Sequence, residues 1–267
     1  MRKYFSIFRI SFAQEFAYRL NFIMWRVRNV MQIFLVFFLW SSVFADPTRS
    51  LFGYNKEKIL TYVFGILVIR ALVLSARTVD VAGEIARGDI TNFLLKPINY
   101  FRYWFARDLS SKALNLGFAI FEAIILYLIL KPAIFIQTDP LILFLFFASV
   151  VIAILIFFFL LFLVNLIAFW MPENGWSAQY LFIVIVSEFL SGGVFPLDIL
   201  PQNFQTIIYS LPFPYLLFFP LQVYLGKIAV IASLKGIATG ALWVFILGFV
   251  LSWVWRKGIS RYEAIGR

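Results

Sequence analysis

Residues 75–114 read SARTVDVAGEIARGDITNFLLKPINYFRYWFARDLSSKAL and hold the densest mixture of charges and turn residues in the chain. This basic, mostly polar segment lies between two long runs that are hydrophobic enough to enter a lipid bilayer. A membrane chain that keeps one long polar loop between two spans is expected to use it to contact a partner. The loop from Arg77 to Lys112 is therefore predicted to lie on the cytoplasmic side and to receive force from that partner.

Composition indicates which solvent surrounds this chain. Of its 267 residues, 63% are hydrophobic and 13% are charged, and the mean hydropathy is +0.93. Soluble domains average about 45–50% apolar and about 25% charged residues. A water-soluble fold cannot hide this much apolar surface, so the bilayer must be the solvent and the protein is an integral membrane protein.

Composition also excludes several kinds of chemistry. The chain has no Cys and no His, which excludes disulfides, thiol nucleophiles, zinc sites with Cys or His ligands, and His-based proton transfer. Mg²⁺ needs only oxygen ligands, but no cluster of Asp and Glu is present to hold it. The net charge of +10 is explained by Lys and Arg flanking the spans on the cytoplasmic side, and no nucleic-acid partner is expected.

The hydrophobic pattern predicts a single all-α transmembrane domain over residues 1–267, with six spans. Asp46-Pro47 ends the first span, since proline disfavours helix in the residue before it. The polar loop covers residues 77–112, and a broken re-entrant region covers residues 194–226. The predicted spans are residues 22–44, 59–76, 113–130, 141–170, 178–193 and 236–255.

The N-terminal residues 1–21 are predicted to form an amphipathic helix that lies in the membrane surface. Apolar residues recur there every three or four positions on one helix face: Met1, Phe5, Phe8, Phe12, Phe16 and Leu20. The alternative is that these residues are the first turns of a long first span. No cleavable signal peptide is expected, because Arg2 and Lys3 lead into this stretch without an A-x-A site.

The re-entrant region is apolar yet repeatedly interrupted by proline. Apolar pieces of ten to fifteen residues are too short to span, which favours re-entrant or interfacial helices. The glycines before it and its prolines are predicted to form an outer gate; the alternative is a purely structural cap. The predicted gate residues are Gly192, Gly193, Pro196, Pro212 and Pro214.

The distribution of Lys and Arg predicts the orientation in the membrane. With both termini in the cytoplasm, sixteen of the 23 basic residues fall inside, six fall outside, and Arg70 lies within a span. Cytoplasmic loops carry an excess of Lys and Arg. Both termini and the loop after the second span are therefore expected inside the cell.

Within the polar loop, Gly88-Asp89 separates two helical pieces, and a short helix over NFLLK is expected to end at Pro97. Its apolar side chains are predicted to form a small docking knob with a polar rim. The knob is Phe93, Leu94 and Leu95, and the rim is Glu84, Arg87, Asp89 and Lys96. The alternative is that the knob packs on the helix ends of the same chain or on lipid headgroups.

The first predicted span is entered through Arg26 and Arg28, and three further charged residues fall inside the predicted spans: Arg70, Glu122 and Glu188. Charges in a bilayer are costly and mark either function or a paired structural site. An Arg70–carboxylate pair inside the bundle would satisfy both groups. A substrate path and proton coupling are the alternatives.

The chain lacks a G-x-x-x-x-G-K-[ST] phosphate loop and a G-x-S-x-G nucleophile elbow. It is therefore predicted not to be an enzyme and not to bind ATP in that way.

Three stretches resemble the permease subunits of type 2 ATP-binding cassette (ABC) exporters. They are EIARGDITNFLLKPINYFRYWFARDL over residues 84–109, SGGVFPLDILPQNFQTIIYSLPFPY over residues 191–215, and GISRYEAIGR over residues 258–267, which is similar to the ending of a bacterial subgroup. The order of elements is also similar over the whole chain. We expect neither the large extracellular domain nor the fused nucleotide-binding domain that some relatives carry.

The resemblance implies a dimer of membrane domains, each docked on a separate ATPase subunit that holds ATP and Mg²⁺, with no cofactor in this chain. It implies that residues 1–20 and about 84–97 contact the ATPase, and that residues 192–220 close the extracytoplasmic side. Members of the family export drugs, lipids or lipid-linked glycans.

We therefore expect the permease subunit of an ATP-driven exporter, as a homodimer or heterodimer, in contact with membrane lipid in a bacterial inner membrane. Movement of the knob by ATP-driven closure of the partner would tilt the spans. One rival is a secondary transporter coupled to an ion gradient, which would need inverted repeats that the sequence does not show. Another rival is a membrane scaffold that transports nothing.

Overall fold

The structure is a computed structural model that describes residues 2–15, 19–46, 48 and 50–262. The described residues form eleven α-helices, joined by short 3₁₀ turns and one π-helix, and contain no β-strand. The helices are α1 (Arg2–Glu15), α2 (Arg19–Val43), α3 (Lys56–Val73), α4 (Val81–Ala86), α5 (Thr91–Leu94), α6 (Tyr100–Leu130), α7 (Pro140–Asn165), α8 (Gly175–Leu181), α9 (Gln202–Tyr209), α10 (Phe218–Tyr224) and α11 (Val230–Arg261).

Among the described residues, three helices are long and apolar enough to cross a membrane. They are α6, α7 with the 3₁₀ turn that follows it, and α11, with 31, 30 and 32 residues. Helix α3 and the segment Thr78–Ala86 meet the same standard together but are bent by 52° at the break between them. The all-α membrane architecture predicted from composition is confirmed, whereas the count of six spans stays a prediction.

Helix α7 forms the centre of the bundle. It packs against α3, α10 and α11. Half of the residues in its apolar 18-residue stretch are buried, whereas the corresponding share is 17% in α6 and in α11. Its start is set by Asp139, whose carboxylate accepts a hydrogen bond from the backbone N–H of Leu141 at 2.8 Å, and by Pro140 in the first turn. The other helices are therefore arranged around the most apolar element of the chain.

Helix α6 begins at Tyr100, well before the predicted third span at residue 113. The side chain of Asn99 caps it by accepting a hydrogen bond from the backbone N–H of Arg102 at 3.0 Å. Its first turns stay helical because Tyr100 and Trp104 are buried, with Tyr100 against Phe162 of α7. The predicted loop 77–112 thus begins with the folded bend after α3, residues 74–86, which we call the elbow. It continues through α5 into the first turns of α6.

Other limits differ from the predicted spans by a few residues. Helix α3 starts at Lys56 because the Asn55 side chain accepts from the backbone N–H of Lys58, and α11 is longer at both ends than residues 236–255. Over the predicted fifth span, residues 178–193, the seven-residue α8 continues into a nine-residue π-helix, Phe182–Leu190. Sixteen helical residues reach at most about 24 Å, which is less than a bilayer core of about 30 Å.

After the π-helix the chain forms a broken hairpin. It passes through the 3₁₀ turn Leu197–Ile199, α9 and the 3₁₀ turn Phe213–Tyr215 before α10. The backbone N–H of Phe218, at the start of α10, donates to the carbonyl of Ser191 at 3.0 Å. The chain therefore returns to the end of the π-helix that it left, and α10 then runs along α3 and α7.

Helix α1 packs along α6. On it, Phe5 is 64% exposed, while the rings of Phe8 and Phe12 stack 6.2 Å apart. Met1 and Phe16 of the predicted apolar face lie outside the described residues, as do residues 263–267 of the C-terminal motif. The position of α1 in a membrane surface stays a prediction.

Candidate functional site

The elbow between α3 and α4 is held to α6 by a buried carboxylate. Asp108 is fully buried. Its Oδ1 accepts from the backbone N–H groups of Arg77 and Thr78 at 2.6 and 2.7 Å, and its Oδ2 accepts from the Thr78 hydroxyl at 2.7 Å. A carboxylate that accepts three such bonds fixes the start of the 3₁₀ turn Thr78–Asp80 and α4.

One turn further along α6, a buried lysine holds the end of α3. Lys112 is 2% exposed, and its Nζ donates to the carbonyls of Val73 and Ser75. A cation at the last carbonyls of a helix complements the helix dipole. Asp108 and Lys112 thus bind the two sides of the bend between α3 and α4.

A second buried polar group ties the elbow to α7 and α8. The Asn165 side chain, at the end of α7, accepts from the backbone N–H of Ala82 at 3.1 Å and from the Gln179 amide. Gln179, on α8, also donates to the carbonyl of Val79 at 2.8 Å. The elbow is therefore bonded to three helices at once.

The predicted polar rim lies on this elbow and on the loop after it. Glu84 accepts a hydrogen bond from the Tyr100 hydroxyl at 2.9 Å, so it faces α6. Arg87 and Asp89 form an exposed ion pair at 2.9 Å across Gly88, which has a φ of +82°. Of the rim residues, Glu84 therefore faces inward, whereas Arg87, Asp89 and Lys96 are exposed.

The predicted apolar knob divides into an inward and an outward part. The centroids of the Phe93 and Tyr103 rings lie 4.8 Å apart. The Lys96 ammonium lies 5.4 Å from the centroid of the Phe93 ring. Leu95 is 87% exposed. The side chain of Leu94 lies outside the part of the chain that the structure describes. Phe93 therefore packs on the protein itself, and Leu95 points away from it.

Arg70 of α3 pairs with Glu188 of the π-helix, at 3.0 Å. Arg70 also donates to the Gln32 side chain at 2.9 Å and to the carbonyl of Gly193 at 3.0 Å. Gln32 in turn donates to Glu188 at 2.8 Å. The arrangement satisfies the predicted Arg70–carboxylate pair and joins α2, α3 and the π-helix.

Glu122 belongs to a separate ion pair. It lies 3.2 Å from Arg26 of α2, whose guanidinium also donates to the side chain and the carbonyl of Asn115. The structure therefore does not bring Glu122 and Glu188 together.

The predicted gate residues lie where the π-helix ends and the hairpin begins. Gly192 has a φ of +81°, and its carbonyl accepts from the Tyr62 hydroxyl of α3 at 2.7 Å. A left-handed φ favours glycine. Gly193, Pro196, Pro212 and Pro214 are buried in the same packed hairpin.

At the other end of the hairpin, a polar cluster joins it to the loop before α3. Lys227 donates to Asp198 at 2.7 Å, and the Tyr54 hydroxyl donates to Asp198 at 3.1 Å and accepts from Gln222. Burial lowers the pKa of Lys227, and the bond to Asp198 opposes that shift. Burial raises the pKa of Tyr54, so its hydroxyl keeps the proton that it donates.

Sequence reasoning missed most of these polar contacts. A weak signal existed for Asp108 and Lys112, because residues four apart share a helix face. Another existed for Asn165, a lone amide at the end of an apolar span. For Asp198 the signal was a single charge between two prolines of an apolar stretch.

Within the described residues, no three His, Cys, Asp or Glu side chains are grouped as a metal site requires. The binding of ATP and Mg²⁺ by a partner subunit stays a prediction.

Comparison with known proteins addresses the identity of the chain directly. The family profile for ABC-2 family transporter proteins matches residues 30–266. No curated protein and no solved structure matches the chain. Because the profile spans nearly the whole sequence, this chain belongs to the ABC-2 transporter family and is a multi-pass membrane permease subunit of an ABC transporter.

Proposed function

We propose that the chain forms, as a dimer, the translocation path of an ATP-driven exporter and is moved by a separate ATPase subunit through the segment of residues 77–112. The substrate is a hydrophobic drug, a lipid or a lipid-linked molecule. ATP and Mg²⁺ bind to the ATPase partner.

The observation that carries this proposal is the bonding of the elbow. Asp108, Asn165 and Gln179 connect residues 77–82 to α6, α7 and α8. Buried hydrogen bonds of this kind are costly to break. A displacement of the elbow is therefore passed to three helices together, as a coupling device requires.

The surface next to the elbow supports docking of a partner. Leu95 is 87% exposed and is followed by exposed Lys96 and Pro97. The exposed ion pair of Arg87 and Asp89 lies on the same segment. An apolar anchor with charged neighbours suits a protein interface.

The proposed topology has six spans: α2, α3, α6, α7, α8 with its π-helix and hairpin, and α11. Both termini and the elbow lie in the cytoplasm of a cell with the permease in its inner membrane, and α1 lies in the membrane surface. The excess of basic residues on that side supports this orientation.

A second copy of the permease is supported by the surface of α2. Arg28 lies 3.8 Å from Glu188, and its side chain is 48% exposed. A charge facing hydrocarbon is strongly disfavoured. A partner permease, identical or related, would cover this face and shield the path between the copies.

The substitution Leu95→Asp tests the coupling surface. We expect it to lower co-purification with the ATPase partner by about tenfold or more, since burying a charge in an interface costs several kcal/mol. The measurement is the amount of ATPase retained on the tagged permease in lipid nanodiscs.

The matched control is Ile136→Asp, because Ile136 is 72% exposed in the loop before α7, at the other end of the bundle. It should retain the ATPase. Equal retention by both variants contradicts the assignment of the coupling surface. Transport by the permease alone, driven by an ion gradient, contradicts the exporter.

A further inference from the structure

The hairpin borders an open cavity that neither the fold nor the proposed coupling requires. It has a volume of about 300 Å³, which is the size of a small-ligand site. It lies at the end of α3 that is remote from the elbow, beside the loop of residues 51–54. The residues that matter for its chemistry are Asp198, Tyr209, Tyr215, Phe218, Gln222 and Lys227.

The walls of this cavity are aromatic. The rings of Tyr209 and Phe218 stack at 5.8 Å with an angle of 15°, and those of Tyr215 and Phe219 lie 5.3 Å apart. Aromatic faces attract cations and also pack against apolar groups. The walls therefore suit a molecule that has both.

The polar floor already holds one ammonium group. The Lys227 Nζ lies 2.7 Å from an oxygen of Asp198 and 3.0 Å from the carbonyl of Phe52. It also lies 3.2 Å from the centroid of the Tyr54 ring. Carboxylate, carbonyl and ring face are the three groups that stabilise an organic cation.

The Asp198 carboxylate remains reachable from the cavity. Its side chain is 23% exposed, against 13% for Lys227. Lys227 donates to Asp198 and to Phe52, and Tyr54 and Gln222 also donate to Asp198, so a cationic head must share or replace these donors at the carboxylate.

We propose that this cavity binds an organic cation with an apolar body, whose charged head competes with the Lys227 ammonium for Asp198. The head lies against Asp198, and the body lies against Tyr209 and Phe218. The proposal deepens the exporter function and rests on it for the substrate class. Because Lys227 and Asp198 join the hairpin to the loop before α3, the arriving cation also loosens that contact.

The test is equilibrium binding of labelled benzyltrimethylammonium to the full-length permease in nanodiscs, without nucleotide or ATPase. Asp198→Asn should weaken binding by about tenfold or more, because the carboxylate charge that attracts the cation is removed. Lys227→Met should strengthen it several-fold, because the competitor is removed. Tyr209→Leu should weaken it several-fold through loss of one wall.

Matched controls are Asp139→Asn and Lys235→Met, two exposed residues outside the cavity, which should leave binding unchanged. Neopentylbenzene and benzenesulfonate, a neutral and an anionic analogue, should not compete. Weaker binding in both Asp198→Asn and Lys227→Met overturns the competition, and absence of saturable binding or equal competition by the analogues overturns the site. Retention of the ATPase is measured separately, so failure of this site and failure of the exporter function are distinguishable.

Discussion

Tyr62 and Arg70 lie about two helical turns apart on α3. Their side chains donate hydrogen bonds to two consecutive backbone carbonyls just after the π-helix. The Tyr62 hydroxyl donates to Gly192, and the Arg70 guanidinium donates to Gly193. Glu188 completes the charge balance of Arg70 at 3.0 Å. Removing one partner of a buried pair leaves the other charge uncompensated. One helix face therefore sets both the position and the conformation of the break before the hairpin.

At this scale, Gly192→Ala should destabilise the protein by about 2 kcal/mol or more. A left-handed backbone costs an alanine about 1–2 kcal/mol, and the added Cβ would lie 2.8 Å from the Tyr62 hydroxyl oxygen. The measurement is thermal unfolding of the purified permease in nanodiscs.

Gly117→Ala is the matched control, because Gly117 lies in α6 with no atom within 4 Å of its Cβ position. Alanine in a helix is about 0.5–1 kcal/mol better than glycine, so this variant should unfold at the same or a higher temperature. An equal decrease in unfolding temperature for the two alanine variants would refute the role assigned to Gly192.

At the scale of elements, the elbow behaves as part of the bundle. Its backbone donors Thr78 and Ala82 bond to side chains of α6 and α7 rather than to water. Val81 and Ile85 of α4 are buried beside them. The first part of the loop suggested by charge, residues 77–86, is thus folded onto the bundle.

Asn165→Leu should loosen this connection. It leaves the backbone N–H of Ala82 and the Gln179 amide without their acceptor, at a cost of about 1–3 kcal/mol for each buried group. We expect faster hydrogen exchange of residues 78–86, measured by mass spectrometry, with α9 unaffected.

Ser177→Ala serves as the comparison, since Ser177 is exposed on α8 and its hydroxyl donates only to the Asn174 carbonyl. Its exchange rates in the elbow should match those of the original protein. If Asn165→Leu also leaves them unchanged, the elbow is held by other contacts.

At the scale of the whole molecule, two ends with different chemistry are separated by apolar helices. One end carries the elbow and the exposed Leu95, and the other carries the hairpin cavity and the loop of residues 131–139. Helix α7 connects them, with a mean hydropathy of 3.3 in its apolar window. The proposed function requires force to enter at the elbow and access to change at the hairpin.

The absence of cysteine from the sequence allows this orientation to be measured directly. In intact cells, a membrane-impermeant maleimide should label Ile136→Cys but not Leu95→Cys. Permeabilised cells should show labelling of both, because both side chains are exposed. Labelling of Leu95→Cys in intact cells would reverse the topology and exclude cytoplasmic coupling.

Much of the fold could be predicted because hydropathy, which drives helices into the bilayer, is a sum over neighbouring residues. Long apolar runs predict α7 and α11, but the Asn55 cap, which starts α3 before the predicted residue 59, was not predicted. Predictions were less accurate where side chains pack against partners that are distant in the sequence. The start of α6 at Tyr100 depends on rings of α7, and the inward turn of Phe93 depends on Tyr103.

The sequence by itself determined the solvent, the helical class and the family, because hydropathy and charge are sums over neighbouring residues. Only the tertiary structure decided that Arg70 pairs with Glu188 and not with Glu122, that Asp108 and Asn165 hold the elbow, and that Asp198 and Lys227 line one cavity. The physical reason is range. Hydropathy acts along the chain, whereas a buried hydrogen bond needs a partner brought within about 3 Å from a remote segment, and only the packed helices provide it.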